Sequence, residues 1–190
     1  MSAKPYIVGL GGTLRPDSST EKAVAVALRA AAEAGAETLL LGGADLDLPL
    51  YAPHSAGRTA AAARLVAELR RADGVILATP GYHGAMSGLM KNAIDYVEDM
   101  SGDLRPYLEG RAVGCIVTAA GCQATATTLV GLRGVVHALR GWPTPLGVTI
   151  NTAEPVFDEA GSCQDGRVSQ QLDLLARQVV EFAGRWRAAG

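Results

Sequence analysis

Four of the five short apolar runs in this chain are followed by glycine within three residues, and a helix-length stretch separates each run from the next. The runs are Tyr6–Gly11, Glu37–Leu41, Gly74–Thr79, Ala112–Thr118 and Pro145–Ile150. Residues Ser19–Glu33, Thr59–Arg71, Ser87–Met100, Thr127–Leu139 and, after an irregular stretch, Gly166–Arg187 read as helices. Ala23, Val24, Ala27 and Leu28 mark one helical face, and Ala62, Leu65, Val66 and Leu69 mark another. Short, continuous apolar strands are buried on both faces. Their alternation with helices predicts an α/β fold, a parallel sheet covered on both sides. Five strands predict the smaller doubly wound order 2-1-3-4-5, in which ligands bind beyond the carboxyl ends of the strands. The loops after the first, third and fourth strands are therefore where a site is expected.

A length of 190 residues predicts one domain, residues 1–190. Hydrophobic residues at 48% and charged residues at 19% exclude intrinsic disorder. A net charge of −2 argues against a nucleic-acid partner held by phosphate neutralisation. No apolar run reaches the roughly 18–20 residues of a membrane helix, and the start lacks a secretory apolar core, so no membrane partner and a cytoplasmic location are expected. Cys115, Cys122 and Cys163 are an odd number at no metal-ligand spacing, which predicts neither a disulfide framework nor a metal site. The 23 glycines are aperiodic and gather where the apolar runs end, the mark of tight turns or close backbone approaches.

The first of the three loops is Gly9-Leu-Gly-Gly-Thr13-Leu-Arg15-Pro-Asp-Ser18-Ser19-Thr20-Glu21. A dinucleotide fingerprint fails, because Leu14 stands where a third glycine is needed and the second strand ends in Gly42 rather than an acid. A Walker loop fails for want of Gly-Lys-Ser/Thr. What remains is one arginine and four hydroxyls entering a helix whose first N–H groups attract an anion. Arg15 adds a charge-assisted fork, and the set suits one phosphomonoester. The plainer alternative is that Ser18-x-x-Glu21 is a capping box only, though a cap has no need of Arg15.

The second loop, Thr79-Pro-Gly-Tyr-His-Gly84-Ala-Met-Ser87-Gly88, starts with a proline expected to terminate the strand. Its glycines leave backbone on which a planar ligand can lie, beside Tyr82 and His83. Lys91 and Asp95 are spaced for an ion pair along a helix. No Gly-x-Ser-x-Gly nucleophile elbow is present, and no catalytic side chain is expected.

Thr13-x-Arg15-x-x-Ser18-x-Thr20, together with Thr79-Pro80-x-Tyr82-His83-Gly84-x-x-Ser87-Gly88-x-x-Lys91-Asn92-Ala93-Ile94-Asp95, resembles the NAD(P)H-dependent FMN reductase family of flavodoxin-like proteins. The resemblance extends through Asp45–Tyr51 and implies a flavodoxin-like sandwich forming a single FMN-binding domain. It assigns FMN phosphate to Thr13, Arg15, Ser18, Ser19 and Thr20, and the isoalloxazine ring to the backbone of Pro80, Gly81, Tyr82, His83 and Gly84. It assigns the pyrimidine side of the ring to Thr118 to Gly121. The chain departs from many members at Gly81, where they carry Glu, and at His83, where they carry Asn. Cys122, next to that last loop, reads first as a small apolar residue.

The resemblance implies hydride transfer from NAD(P)H to flavin and on to free FMN, a quinone, an azo dye or a metal oxyanion. Such chemistry needs ring orientation rather than a side-chain acid or base. A monooxygenase receiving reduced flavin is a further implied partner, as is a second copy of the chain in a homodimer or homotetramer. The helix bearing Lys91, Asn92 and Asp95 is the candidate interface. A flavodoxin-type electron carrier is the alternative, against which Arg15 and the small net charge count.

Overall fold

The computed structural model describes residues 3–55 and 57–189. Its strands are β1 (Tyr6–Gly11), β2 (Glu37–Leu41), β3 (Gly74–Tyr82), β4 (Ala85–Met86), β5 (Ala112–Ala119), β6 (Trp142–Pro143) and β7 (Val148–Asn151). Its helices are α1 (Ser19–Glu33), α2 (Ala60–Arg71), α3 (Gly88–Asp95), α4 (Cys122–Ala138) and α5 (Gly166–Ala189). The order β2-β1-β3-β5 is parallel throughout, and β6 and β7 both run along the far edge of β5. Counted by position, this is the expected 2-1-3-4-5 arrangement with the fifth strand in two pieces. The interruption falls at Thr144–Gly147, where Thr144 donates its hydroxyl to the Leu146 carbonyl at 2.7 Å. Pro143 and Pro145 have no N–H to offer a ladder there.

The core lies on both faces of the sheet. Val24, Leu28, Leu172, Leu175 and Val179 of α1 and α5 pack on one side, and Leu65, Leu69, Met90, Leu132 and Val136 of α2, α3 and α4 on the other. Ile7, Val8, Val75 and Ile76 are fully buried between them, as the continuous apolar strands require. One buried polar group is conspicuous. Arg111, 1% exposed, donates to the carbonyls of Ala72, Arg70, Tyr107 and Glu109 at 2.9–3.2 Å. It ties the end of α2 to the start of β5, and burial pulls its pKa down to about 10.

Besides the fifth strand, expected from Pro145 but starting at Val148 after its break, three boundaries differ from the sequence reading by three residues or more. β3 does not stop before Pro80 but runs on to Tyr82. Its last partner on β1 is Gly11, paired with Ala78, so the side of Pro80 that lacks a donor faces no neighbouring strand. The helix expected over Ser87–Met100 is α3 followed by a 3-10 turn, Tyr96–Met100. α4 begins at Cys122, five residues before the expected Thr127.

The α3 region also answers for Lys91, Asn92 and Asp95. Lys91 Nζ donates to Asp95 Oδ1 at 2.6 Å along the helix. Asn92 is spent within the chain: its amide donates to the Leu48 and Pro49 carbonyls and its oxygen accepts from Tyr51 N–H at 2.8 Å. The same loop is locked by Asp99, which accepts from Arg58 Nε at 2.7 Å and Nη2 at 2.8 Å and from the Tyr51 hydroxyl at 3.2 Å. The Arg58 guanidinium lies 4.8 Å from the centre of the Tyr51 ring and 5.4 Å from that of Tyr96.

The hydrogen bond from Arg58 holds the Asp99 carboxyl below its ordinary value, against the opposing effect of burial. A lowered folded pKa gives stabilisation that is complete above the unfolded value of about 4 and is lost as pH falls through the folded value. Asp99→Asn is therefore expected to lower the urea midpoint at pH 7, with the gap from wild type closing on acidification below that range. A gap that stays constant down to pH 3 would contradict this assignment.

Candidate functional site

The first loop leaves β1 by a turn that conserves donors. Gly12 N–H donates to the Ala78 carbonyl at 2.8 Å, which holds the loop to β3. Thr13 Oγ1 accepts from Arg15 N–H at 3.2 Å, so the hydroxyl proton of Thr13 stays free. Ser18 caps α1, its Oγ accepting from Glu21 N–H at 3.2 Å while its carbonyl accepts from Lys22 N–H at 3.0 Å. The N–H groups of Ser19 and Thr20 have no acceptor among the described residues. The Ser18-x-x-Glu21 spacing thus gives half of a capping box. The Glu21 carboxylate turns instead to Gly42 and Gly43, accepting from Gly43 N–H at 3.5 Å. Gly43 has no alternative residue: a Cβ there would lie 1.6 Å from the Thr13 carbonyl oxygen.

The second loop is a hairpin. Tyr82 pairs with Ala85, and the two residues between them, His83 (φ 51°) and Gly84 (φ 82°), both have positive φ. That is the signature of a type I′ turn, whose twist matches the flanking strands. Histidine, like asparagine, tolerates positive φ better than most side chains, which suits His83 to this position. Beneath the hairpin, Thr79 Oγ1 accepts from Ser87 N–H at 3.0 Å, and the Ser87 hydroxyl donates to the Gly12 carbonyl at 3.0 Å. Ser87 also caps α3 through Met90 N–H.

Gly81 faces α4. A Cβ on it would lie 2.9 Å from Thr128 Oγ1, 3.2 Å from the Ala124 carbonyl and 3.4 Å from Ala119 Cβ. α4 therefore occupies the space a side chain at position 81 would need. Thr128 Oγ1 is buried and has no hydrogen-bond partner among the described residues.

These loops enclose a cleft of about 410 Å³ at the carboxyl ends of β1, β3 and β5. Thr13, Arg15, Ser18, Ser19, Thr20, Pro80, Gly81, Tyr82 and Thr118 line it. Three other candidate residues do not: His83 and Gly84 form the hairpin tip, and Gly121 precedes α4. A substituent on Gly84 would meet only Thr127 Oγ1, at 3.5 Å, so its cost is turn strain rather than intrusion into the cleft. Cys122 is exposed and lies outside the lining.

Ala119 and Ala120, inside the Thr118–Gly121 stretch assigned to the ring, also line the cleft, as do Ala124 and Thr152, which the sequence reading did not single out. Thr152 is displayed by the end of the broken fifth strand, where the switch-point rule applies equally. At the floor, Thr20 Oγ1 and Thr118 Oγ1 are 2.6 Å apart. Arg15 is the one lining residue with a full charge; its side chain is exposed and has no ion-pair partner among the described residues. With the amino end of α1 beside it, the cleft is set to receive negative charge.

The model of a family described as NADPH-dependent FMN reductase matches residues 5–155. The chain belongs to that family. Over 113 residues it is 31% identical to the FMN-dependent NADPH-azoreductase of Staphylococcus aureus, across 58% of this chain and 56% of the relative. The chain thus spans about half the length of the curated relatives it matches.

Solved structures share the fold. An oxidoreductase from Corynebacterium diphtheriae, 18% identical, superposes with a TM-score of 0.73 over 97% of this chain and 99% of that one. FerB, a flavoenzyme NAD(P)H:(acceptor) oxidoreductase from Paracoccus denitrificans, is 24% identical with a TM-score of 0.70, covering 96% of this chain and 98% of its own. A flavodoxin from Streptococcus pneumonia TIGR4, 13% identical, gives 0.62 over 94% and 99%. The fold of this chain is therefore flavodoxin-like.

The turn geometry sets a test. His83→Asn is expected to keep or raise the melting temperature, whereas His83→Val, forced to positive φ, should cost about 1–2 kcal/mol and lower it by several degrees. Equal melting temperatures for the two variants would contradict the type I′ turn.

Proposed function

We propose that the chain is an FMN-binding oxidoreductase that accepts hydride from NAD(P)H and passes reducing equivalents to a small acceptor. One observation carries the reading. A cradle of unspent donors and the Pro80–Tyr82 backbone line one cleft, which suits a ligand with an anionic end and a flat end. Family membership supports the cofactor and the donor.

The residues fit FMN. The dianionic end meets the spare N–H groups of Ser19 and Thr20, the hydroxyls of Thr13 and Ser18, and the Arg15 guanidinium. A hydrogen bond to a charged group is worth about 1.5–3 kcal/mol, so this end dominates affinity. The Pro80–Tyr82 backbone and the Thr118–Ala120 turn form the opposite wall. The cleft volume of about 410 Å³ lies within the roughly 300–1,000 Å³ of small-ligand sites.

FMN, when bound, supplies the redox chemistry. The chain's own contribution is orientation and charge: Arg15 neutralises the head group, and the fixed N–H groups set its position. The absence of a carboxylate from the lining keeps repulsion away from anionic ligands. Tyr82, half exposed, stands at the mouth. The acceptor classes in keeping with this reading are free FMN, quinones, azo compounds and metal oxyanions, with reduced flavin also available to a monooxygenase partner. A homodimer or homotetramer in the cytoplasm completes the proposal.

Purified protein with added FMN should oxidise NAD(P)H and reduce an azo compound or a quinone, with the parallel-line initial-rate pattern of a ping-pong cycle. Protein that binds FMN without oxidising NADH or NADPH would be a carrier instead. Arg15→Ala should weaken FMN binding about tenfold or more and flatten its dependence on ionic strength. Unchanged affinity at low and high salt would sink the phosphate assignment.

A further inference from the structure

Thr20 and Thr118 come from opposite sides of the cleft, one from the first turn of α1 and one from the end of β5. Both side chains are 3% exposed, and their hydroxyl oxygens are 2.6 Å apart. Each hydroxyl carries one proton and two lone pairs. The bond between them uses one proton and leaves one. Neither side chain has another hydrogen-bond partner among the described residues, so the unspent proton has no protein acceptor. A threonine inside a helix ordinarily returns its hydroxyl to a carbonyl three or four residues earlier. Thr20 is the second residue of α1, and no helical carbonyl precedes it at that distance. Thr118 takes the place of that missing anchor.

The direction of the bond follows from charge. Thr20 sits among the spare N–H groups of α1 and close to Arg15, where an anion is held on the reading above. A Thr20 hydroxyl that donated to Thr118 would turn lone pairs toward that anion. A Thr20 hydroxyl that accepts from Thr118 turns its proton toward it. We propose that Thr118 is a positioning residue: its hydroxyl donates to Thr20 Oγ1 and so aims the Thr20 proton at the anionic head group. Thr118 thereby tunes selectivity for the phosphorylated flavin. This rests on the FMN reading of the same cleft.

Binding of FMN and of riboflavin, which lacks the phosphate, separates this role from a purely structural one. Flavin fluorescence titrations of the purified protein give both dissociation constants. Thr118→Val is expected to weaken FMN about tenfold and riboflavin by less than about twofold. Thr118→Ser should restore FMN affinity. Thr20→Val should lose as much as the Thr20→Val, Thr118→Val double variant, because the two hydroxyls act in series. Thr118→Ala gives the same comparison where the valine variant does not fold.

Equal weakening of FMN and riboflavin overturns the proposal, as does failure of the serine variant to restore affinity or additive losses in the double variant. Wild-type protein that binds FMN no tighter than riboflavin overturns the FMN reading itself, and this inference with it.

Discussion

The whole arrangement depends on a surplus of hydrogen-bond donors where β1 gives way to α1. The first turn of any helix leaves N–H groups without partners. Here Ser18 satisfies one, while Thr13 bends its oxygen back on Arg15 N–H and so keeps its proton. The remainder is a set of donors beside a guanidinium with no ion-pair partner among the described residues. Such a set suits a ligand rich in acceptors and negative charge. The surroundings are built to keep that set in place. Gly12 is bonded to Ala78 and Ser87, and Gly43 permits the Thr13 carbonyl to approach within what would be a side chain's own volume.

The hairpin after β3 complements this charged end with an uncharged wall. Its two-residue turn fixes the strand ends, and α4 presses on Gly81 closely enough to exclude a side chain there. The space a side chain at position 81 would need is thus filled by Thr128 and the Ala124 carbonyl. The consequence is a cleft whose lining bears the single charge of Arg15.

Much of this was legible in the sequence, and the exceptions have physical causes. Tyr6–Gly11, Ser19–Glu33 and Glu37–Leu41 fall where their apolar spacing and closing glycines put them. Pro80 was misleading because a missing donor is harmless on the side where β1 has already ended. The early start of α4 was hidden by Gly121, which offers no capping side chain, and by a run of β-branched threonines; packing on the hairpin overrides both. The turn role of His83 follows from a backbone dihedral, which spacing alone does not reveal. Arg111 gave no signal either, since its partners are carbonyls from distant segments. Most of the candidate site was readable because hydroxyls and arginine clustered in one loop; the alanines opposite carry no chemical mark.

A crystal structure of the protein with FMN bound tests the central claim most directly. The account predicts the phosphate against the N–H groups of Ser19 and Thr20, with Arg15 closing over it and the ring along Pro80–Tyr82. A phosphate seated away from the start of α1, or a ring lodged outside the cleft, would contradict it.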